Sequence, residues 1–292
     1  MAICSESHVL HTLTRKNRLS VAMAALFLGL AGGTAVAAEF PATTSLTAID
    51  GVIGLRFNGA ASDDEAGKAM ARVGDFNGDG IDDFIIGAPQ TDNGATDAGS
   101  AYVVFGTGSG FGPSTSLAAL DGSNGFRVDG TGVFFVAGHT VAAGDVNGDG
   151  LSDIIVGSPY TSQGVNTYVG STYVIFGRSG TGPSSISGSA LNGSNGFRID
   201  GVGASDIFGK SVASGDVNGD GFDDLIIGAT QTSPGGNANA GSVYVVFGKQ
   251  SGLGSVIMAS SLNGTTGFRL DGVHAKDWTG YSVGGGADIN GD

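Results

Sequence analysis

GFRVDG, residues 125–130, returns as GFRIDG at 196–201 and as GFRLDG at 267–272, with a degenerate copy, GLRFNG, at 54–59. Successive copies start 71 residues apart, and a fixed period of that size marks a chain built by stacking one supersecondary unit on the next. Other landmarks keep the same period. AYVVFG, TYVIFG and VYVVFG carry Phe105, Phe176 and Phe247, and Gly67, Gly138, Gly209 and Gly280 recur in step with them.

Each landmark is short, β-branched or aromatic, and bounded by Gly, Asn, Asp or Ser, which predicts strands, about four per unit. The stretches FIIGA (84–88), IIVGS (154–158) and LIIGA (225–229) are apolar without alternation. Such strands are covered on both faces, as when a sheet is sandwiched between neighbouring sheets. Four-stranded units stacked through both faces describe the blades of an all-β propeller. An immunoglobulin-like array needs about seven strands per unit, and a parallel β-helix needs shorter rungs. The 55 Gly against 6 Pro fit a chain of tight turns. From Glu39 to Asp292 there is room for about three and a half units, fewer than the four to eight blades of a closed ring. The last copy stops at DINGD, residues 288–292. The expectation is therefore part of a ring, with open blade faces that favour self-association.

Acids outnumber bases by 27 to 13, a balance that repels nucleic acid and attracts cations. The acids are concentrated in DFNGDGIDD (75–83), DVNGDGLSD (145–153) and DVNGDGFDD (216–224). The shared pattern D-x-N-x-D-G-x-x-D puts oxygens at alternate positions, and calcium, a hard cation, takes six to eight oxygens at about 2.4 Å. In the first loop Asp75, Asn77 and Asp79 would supply side-chain oxygens, Ile81 its carbonyl, and Asp83 a closing carboxylate. The second would use Asp145, Asn147, Asp149, Leu151 and Asp153; the third Asp216, Asn218, Asp220, Phe222 and Asp224. Asp288, Asn290 and Asp292 begin a fourth set. An EF-hand opens alike but closes with Glu at the twelfth position, where this chain has Ile86, Val156 or Ile227.

The first 38 residues have the order of a secretory leader: basic Arg15, Lys16 and Arg18, an apolar run from Leu19, then small residues through Ala38. That order predicts export and removal of the segment, with residues 39–292 as the mature repeat region. Nothing after it is long and apolar enough for a membrane span. Cys4, the single cysteine, lies in the leader, so rigidity is expected from metal and not from disulfides. Gly209-Lys210-Ser211 resembles the end of a phosphate-binding loop, but Ala204 stands where that motif needs Gly. Lys210 instead shares a repeat position with Lys68, His139 and Tyr281. No Ser, His and acid set indicates hydrolytic chemistry. Trp278, Phe135, Phe208 and Tyr281 are expected to pack between blades.

With strands, loops and period in place, the chain resembles the FG-GAP repeat family, whose units build the seven-bladed propeller of integrin α chains and occur in many bacterial exported proteins. It keeps Phe208-Gly209 and Gly87-Ala88-Pro89, varies to Gly157-Ser158-Pro159 and Gly228-Ala229-Thr230, and departs at Ala66-Gly67, Ala137-Gly138 and Thr279-Gly280. The resemblance implies calcium ions stiffening hairpin loops on one side of a propeller while loops on the other side bind partners. It implies a secreted or cell-surface, non-enzymatic module for adhesion. Its partners would be an extracellular protein or glycan and the remaining blades of the same chain. The competing expectation is an accessory or catalytic propeller of a secreted hydrolase or lyase whose active-site part lies beyond residue 292.

Overall fold

The computed structural model describes Ser45, Ile49 and residues 54–286. The expected leader and the incomplete fourth loop at Asp288, Asn290 and Asp292 lie outside the described residues. The first strand among the described residues is β1 (Arg56–Asn58). The first blade comprises β2 (Met70–Gly74), β3 (Asp83–Ala88), β4 (Ser100–Val104), a short β5 (Ser114–Ser116) and β6 (Gly125–Asp129). The second repeats this with β7 (Thr140–Gly144), β8 (Asp153–Ser158), β9 (Ser171–Ile175), β10 (Ser185–Ser187) and β11 (Gly196–Asp200). The third has β12 (Phe208–Gly215), β13 (Asp224–Ala229), β14 (Ser242–Val246), β15 (Val256–Met258) and β16 (Gly267–Asp271).

Within a blade the four longer strands form an antiparallel meander, β2-β3-β4-β6 in the first, β7-β8-β9-β11 in the second and β12-β13-β14-β16 in the third. These are the propeller blades that the apolar runs predicted. The short strands behave differently. Each leaves its own unit and lies parallel on the outer strand of the preceding one: β5 on β1, β10 on β6, β15 on β11. An edge strand with bare N–H and C=O groups is thereby covered by its neighbour.

The core lies between blades. One cluster joins Phe76, Val103 and Phe126 of the first blade to Ile154, Tyr173 and Ile186 of the second. Another joins Ile155, Val174 and Phe197 of the second to Phe208, Leu225 and Tyr244 of the third. Phe76, fully buried, stands 5.2 Å from the Phe126 ring. Burial of one such side chain contributes about 1.5–3 kcal/mol, so separating two blades is costly.

Gly138 shows why the glycine of the family's Phe-Gly pair persists where the Phe is lost. Its φ is +84°, and a Cβ there would sit 2.1 Å from the Ser100 carbonyl oxygen in the blade before. Ala137 then donates its N–H to the Ala98 carbonyl at 3.0 Å, a bridge repeated by Phe208 to Val169 and by Thr279 to Ala240. In the third blade Phe208 occupies the Ala137 position and packs edge-on against Tyr244, 5.3 Å away. Of the four aromatics expected between blades, Phe208 is fully buried there, whereas Trp278 is 50% and Tyr281 66% exposed. Those two follow β16, on whose outer edge no described strand is laid. Among the described residues no helix is long and apolar enough to cross a membrane.

Candidate metal centre

The meander puts the two ends of each blade to different use. The acidic loops, between the first and second strands, share one end with the connections that follow β4, β9 and β14. Residues 89–99, 130–139, 159–170, 201–207 and 230–241 lie at the other end. All fifteen ligand candidates in the three complete loops fall in β-hairpin turns or at the start of β3, β8 and β13.

The three loops are near copies. The Asp75 carboxylate accepts the N–H groups of Gly78, Asp79 and Gly80 at 2.7, 3.1 and 2.8 Å. Asp145 and Asp216 do the same for Gly148, Asp149 and Gly150 and for Gly219, Asp220 and Gly221. Asn77 Oδ1 accepts from Asp79 N–H at 2.9 Å, and Asp79 from Ile81 N–H at 2.8 Å. The turn depends on Gly80, Gly150 and Gly221 with φ of +81°, +85° and +88°. A Cβ at these three would meet nothing within 4 Å, so backbone conformation and not crowding selects glycine here.

Asp83, Asp153 and Asp224 close the loops from full burial. Asp83 accepts N–H groups from Phe76 at 3.0 Å and from Gly106 at 2.8 Å, tying the loop to the connection after β4. Asp153 and Asp224 are bound alike by Val146 and Gly177 and by Val217 and Gly248. Burial raises the Asp83 carboxyl to about 6 and the Asp153 carboxyl to about 7, and raises Asp224 in the same direction. The acids at the first and fifth loop positions add to the rise, and backbone hydrogen bonds oppose it. Among the described residues none of these three carboxyls forms an ion pair with a Lys or Arg.

As they stand, the loop carboxylates turn onto backbone N–H groups. Among the described residues no three Asp, Glu, His or Cys side chains are gathered as a finished ion cage. The donor set nevertheless fits a hard divalent cation: oxygens only, at alternate positions, with a buried carboxyl that no basic group compensates.

The sequence reading missed what joins one loop to the next. Ser152 and Asp223, at the eighth loop position, donate their N–H groups to the carbonyls of Asp75 and Asp145, each at 2.9 Å. Arg178 and Lys249 donate theirs to Phe76 and Val146 at 2.9 and 3.0 Å. The eighth position is polar in each copy, Asp82, Ser152 and Asp223, and that recurrence was its only visible signal. In the first blade Asp82 is bound instead by the Arg72 guanidinium at 2.7 Å.

A family model described as the FG-GAP repeat matches residues 71–104, 137–175 and 208–246. Each window covers the first three strands of one blade together with its acidic loop. Among curated relatives, Integrin alpha-V of Gallus gallus is 27% identical over 262 residues, covering 84% of this chain and 22% of that protein. Integrin alpha-5 of Xenopus laevis is 29% identical over 225 residues, 75% of this chain and 18% of that protein. The Phosphatidylinositol-glycan-specific phospholipase D of Bos taurus is 31% identical over 224 residues, 75% of this chain and 24% of that protein. The chain thus spans 18 to 24% of the length of these relatives. Three matched repeats in register with three blades and three acidic loops place this chain in the FG-GAP repeat family.

Proposed function

We propose that the chain is a calcium-stiffened propeller segment of an exported protein, non-catalytic in itself, that recognises an extracellular protein or glycan through the end opposite the acidic loops. The observation that carries the calcium assignment is the threefold recurrence of one loop with a fully buried closing carboxyl and no basic partner. Bound calcium would supply the positive charge that these carboxylates lack. Asp75, Asn77, Asp79, the Ile81 carbonyl and Asp83 would hold it in the first blade, with their counterparts in the other two. The chain's own part is to keep the loop oxygens at one end of a hairpin anchored through Gly106, Gly177 and Gly248.

Recognition by the other end is supported by apolar side chains held outward on a rigid frame. Phe134 is 54%, Tyr168 49% and Val165 96% exposed. Phe134 and Tyr168 have φ of +60° and +56°, conformations that bulky residues adopt only when surroundings impose them. Phe134 is fixed by its N–H on the Thr96 carbonyl at 2.8 Å. Calorimetric titration of the chelated chain with calcium tests the first half: saturable uptake is expected, reduced by one ion in Asp149→Ala. Flat heats up to several millimolar, the weak end for extracellular sites, overturn it. Binding to an array of purified extracellular proteins, compared with Phe134→Ser/Tyr168→Ser, tests the second half; an unchanged pattern in the variant overturns it.

The phospholipase D relatives favour one alternative, in which the propeller serves a hydrolase. Turnover of a phosphatidylinositol-glycan by a longer form of the protein, lost when residues 39–292 are removed, would favour that alternative over a pure binding role.

A further inference from the structure

The repeat position that the sequence reading set aside as a false phosphate loop is where basic groups from adjacent blades meet. Lys68, His139 and Lys210 each follow a left-handed glycine, Gly67, Gly138 or Gly209, with φ of +93°, +84° and +84°. Each stands at or just before the first strand of its blade, and β7 runs beside both β2 and β12. The equivalent side chains of neighbouring units are thereby brought together: Lys210 Nζ lies 3.0 Å from His139 Nε2, although the residues are 71 apart in sequence. Lys68 is near enough for its charge to act on both.

The surroundings fix this group in place. His139 donates its N–H to the Val136 carbonyl at 3.2 Å. The Tyr160 ring meets its imidazole edge-on at 6.3 Å, and Thr140 Oγ1 bonds the Gly209 carbonyl across the blade junction at 3.1 Å. Burial and the two lysine charges hold the imidazole in its neutral form, with a pKa lowered to about 4. Neutral Nε2 then accepts from the Lys210 ammonium, which has two further protons to donate. Burial and Lys68 lower the Lys210 pKa, and no carboxylate is among the groups acting on it. Lys68 has Glu65 at 3.5 Å, both side chains over two-fifths exposed, a pairing of little strength. In a chain of net charge −14, two ammonium groups acting on one imidazole, with one paired carboxylate for the two, form a local positive site.

We propose that Lys68, His139 and Lys210 form an oxyanion-binding site at the junction of three successive blades, suited to a carboxylate, sulfate or phosphate group. Two ammonium groups, one of them held in place by the imidazole, match the several oxygens of such an anion. The site lies at the end of the blades opposite the acidic loops, so an anion and a calcium ion would not compete for it. It goes beyond the proposed recognition function and does not depend on calcium uptake.

The test is a titration of the chain with sodium sulfate and, separately, sodium succinate. It is followed by the NMR signals of the His139 ring at constant ionic strength, up to about 20 mM, which covers millimolar affinities. A saturable shift that sodium chloride does not produce is expected. Lys210→Gln and Lys68→Gln should each weaken it by about tenfold or more, the scale of one charge-assisted hydrogen bond. Glu65→Gln should strengthen it by freeing Lys68, and Lys210→Arg should retain it. Lys249→Gln, at the acidic-loop end, should leave it unchanged. Tighter succinate would identify an acidic side chain as the natural group, tighter sulfate a sulfated or phosphorylated one. No saturable shift with either anion, or equal weakening by Lys249→Gln and Lys210→Gln, overturns the proposal. Glu65→Gln lies on an exposed turn and keeps the test decisive if a lysine variant fails to fold.

Discussion

Asp145 and Asp223, on the acidic loops of adjacent blades, hold each other by a reciprocal pair of hydrogen bonds. Asp223 donates its N–H to the Asp145 carbonyl at 2.9 Å, and its carboxylate accepts the Asp145 N–H at 2.8 Å. One residue is a candidate metal ligand and the other is not, so the second is a handle on the first. Asp223→Ala should cost about 1–2 kcal/mol in urea unfolding and should weaken calcium uptake by the second loop. Asp223→Asn, which keeps an acceptor, should lose much less.

The buried closing acids give the calcium-free chain a characteristic pH response. Burial raises Asp153 to about 7 and Asp83 to about 6, against 3.8 for the free side chain. The folded state thus binds these protons more tightly than the unfolded chain. Their stabilisation is complete below the free value and disappears as pH rises through about 6 to 7. In chelator, Asp153→Asn should melt above the parent chain at pH 7.5, and the gap should narrow as pH falls and close only below the free value of 3.8. Calcium uptake near pH 7 should release protons, read as a dependence of the binding heat on the ionisation enthalpy of the buffer.

Two glycines with nearly the same φ should respond very differently to a methyl group. Gly80 and Gly138 have φ of +81° and +84°, but a Cβ meets nothing at Gly80 and the Ser100 oxygen at 2.1 Å at Gly138. Gly80→Ala in chelator should cost about 1–2 kcal/mol, the conformational penalty alone. Gly138→Ala forces two blades apart and should cost more than about 3 kcal/mol. Equal losses in thermal unfolding would refute the close approach of the blades.

The parallel strands laid across blade junctions carry measurable stability. Ile186 of β10 is 8% exposed and packs into the cluster shared by the first two blades. Ile186→Ala should cost about 2–4 kcal/mol, while Ser185→Ala on the exposed side of the same strand should stay within about 0.5 kcal/mol. Chemical denaturation of both variants checks this.

The main strands and the acidic loops were legible because their signals are local: unbroken apolar runs such as Phe84–Ala88, and five oxygens at fixed offsets. The strands across blade junctions were not. Ser114–Ser116 and Ser185–Ser187 are three residues each, polar enough to read as turn, and are strands only because a neighbouring edge accepts them. The link from Ser152 to Asp75 was hidden for the same reason, since its partner lies 77 residues earlier (152 minus 75). Trp278 and Tyr281 looked like core by residue type, yet both are half or more exposed, beside the edge of β16 on which no described strand is laid.

The strand that each unit lends to the one before has a bearing on how such chains grow. Because the first and second blades both lend and borrow, no cut at the boundary between them releases a self-sufficient piece. Yet removal or duplication of any 71-residue stretch, wherever it begins, restores each lender to a borrower of the same kind. Unequal recombination can therefore change the number of units without tailored junctions, and point substitutions such as Ala137 against Phe208 can then accumulate one unit at a time.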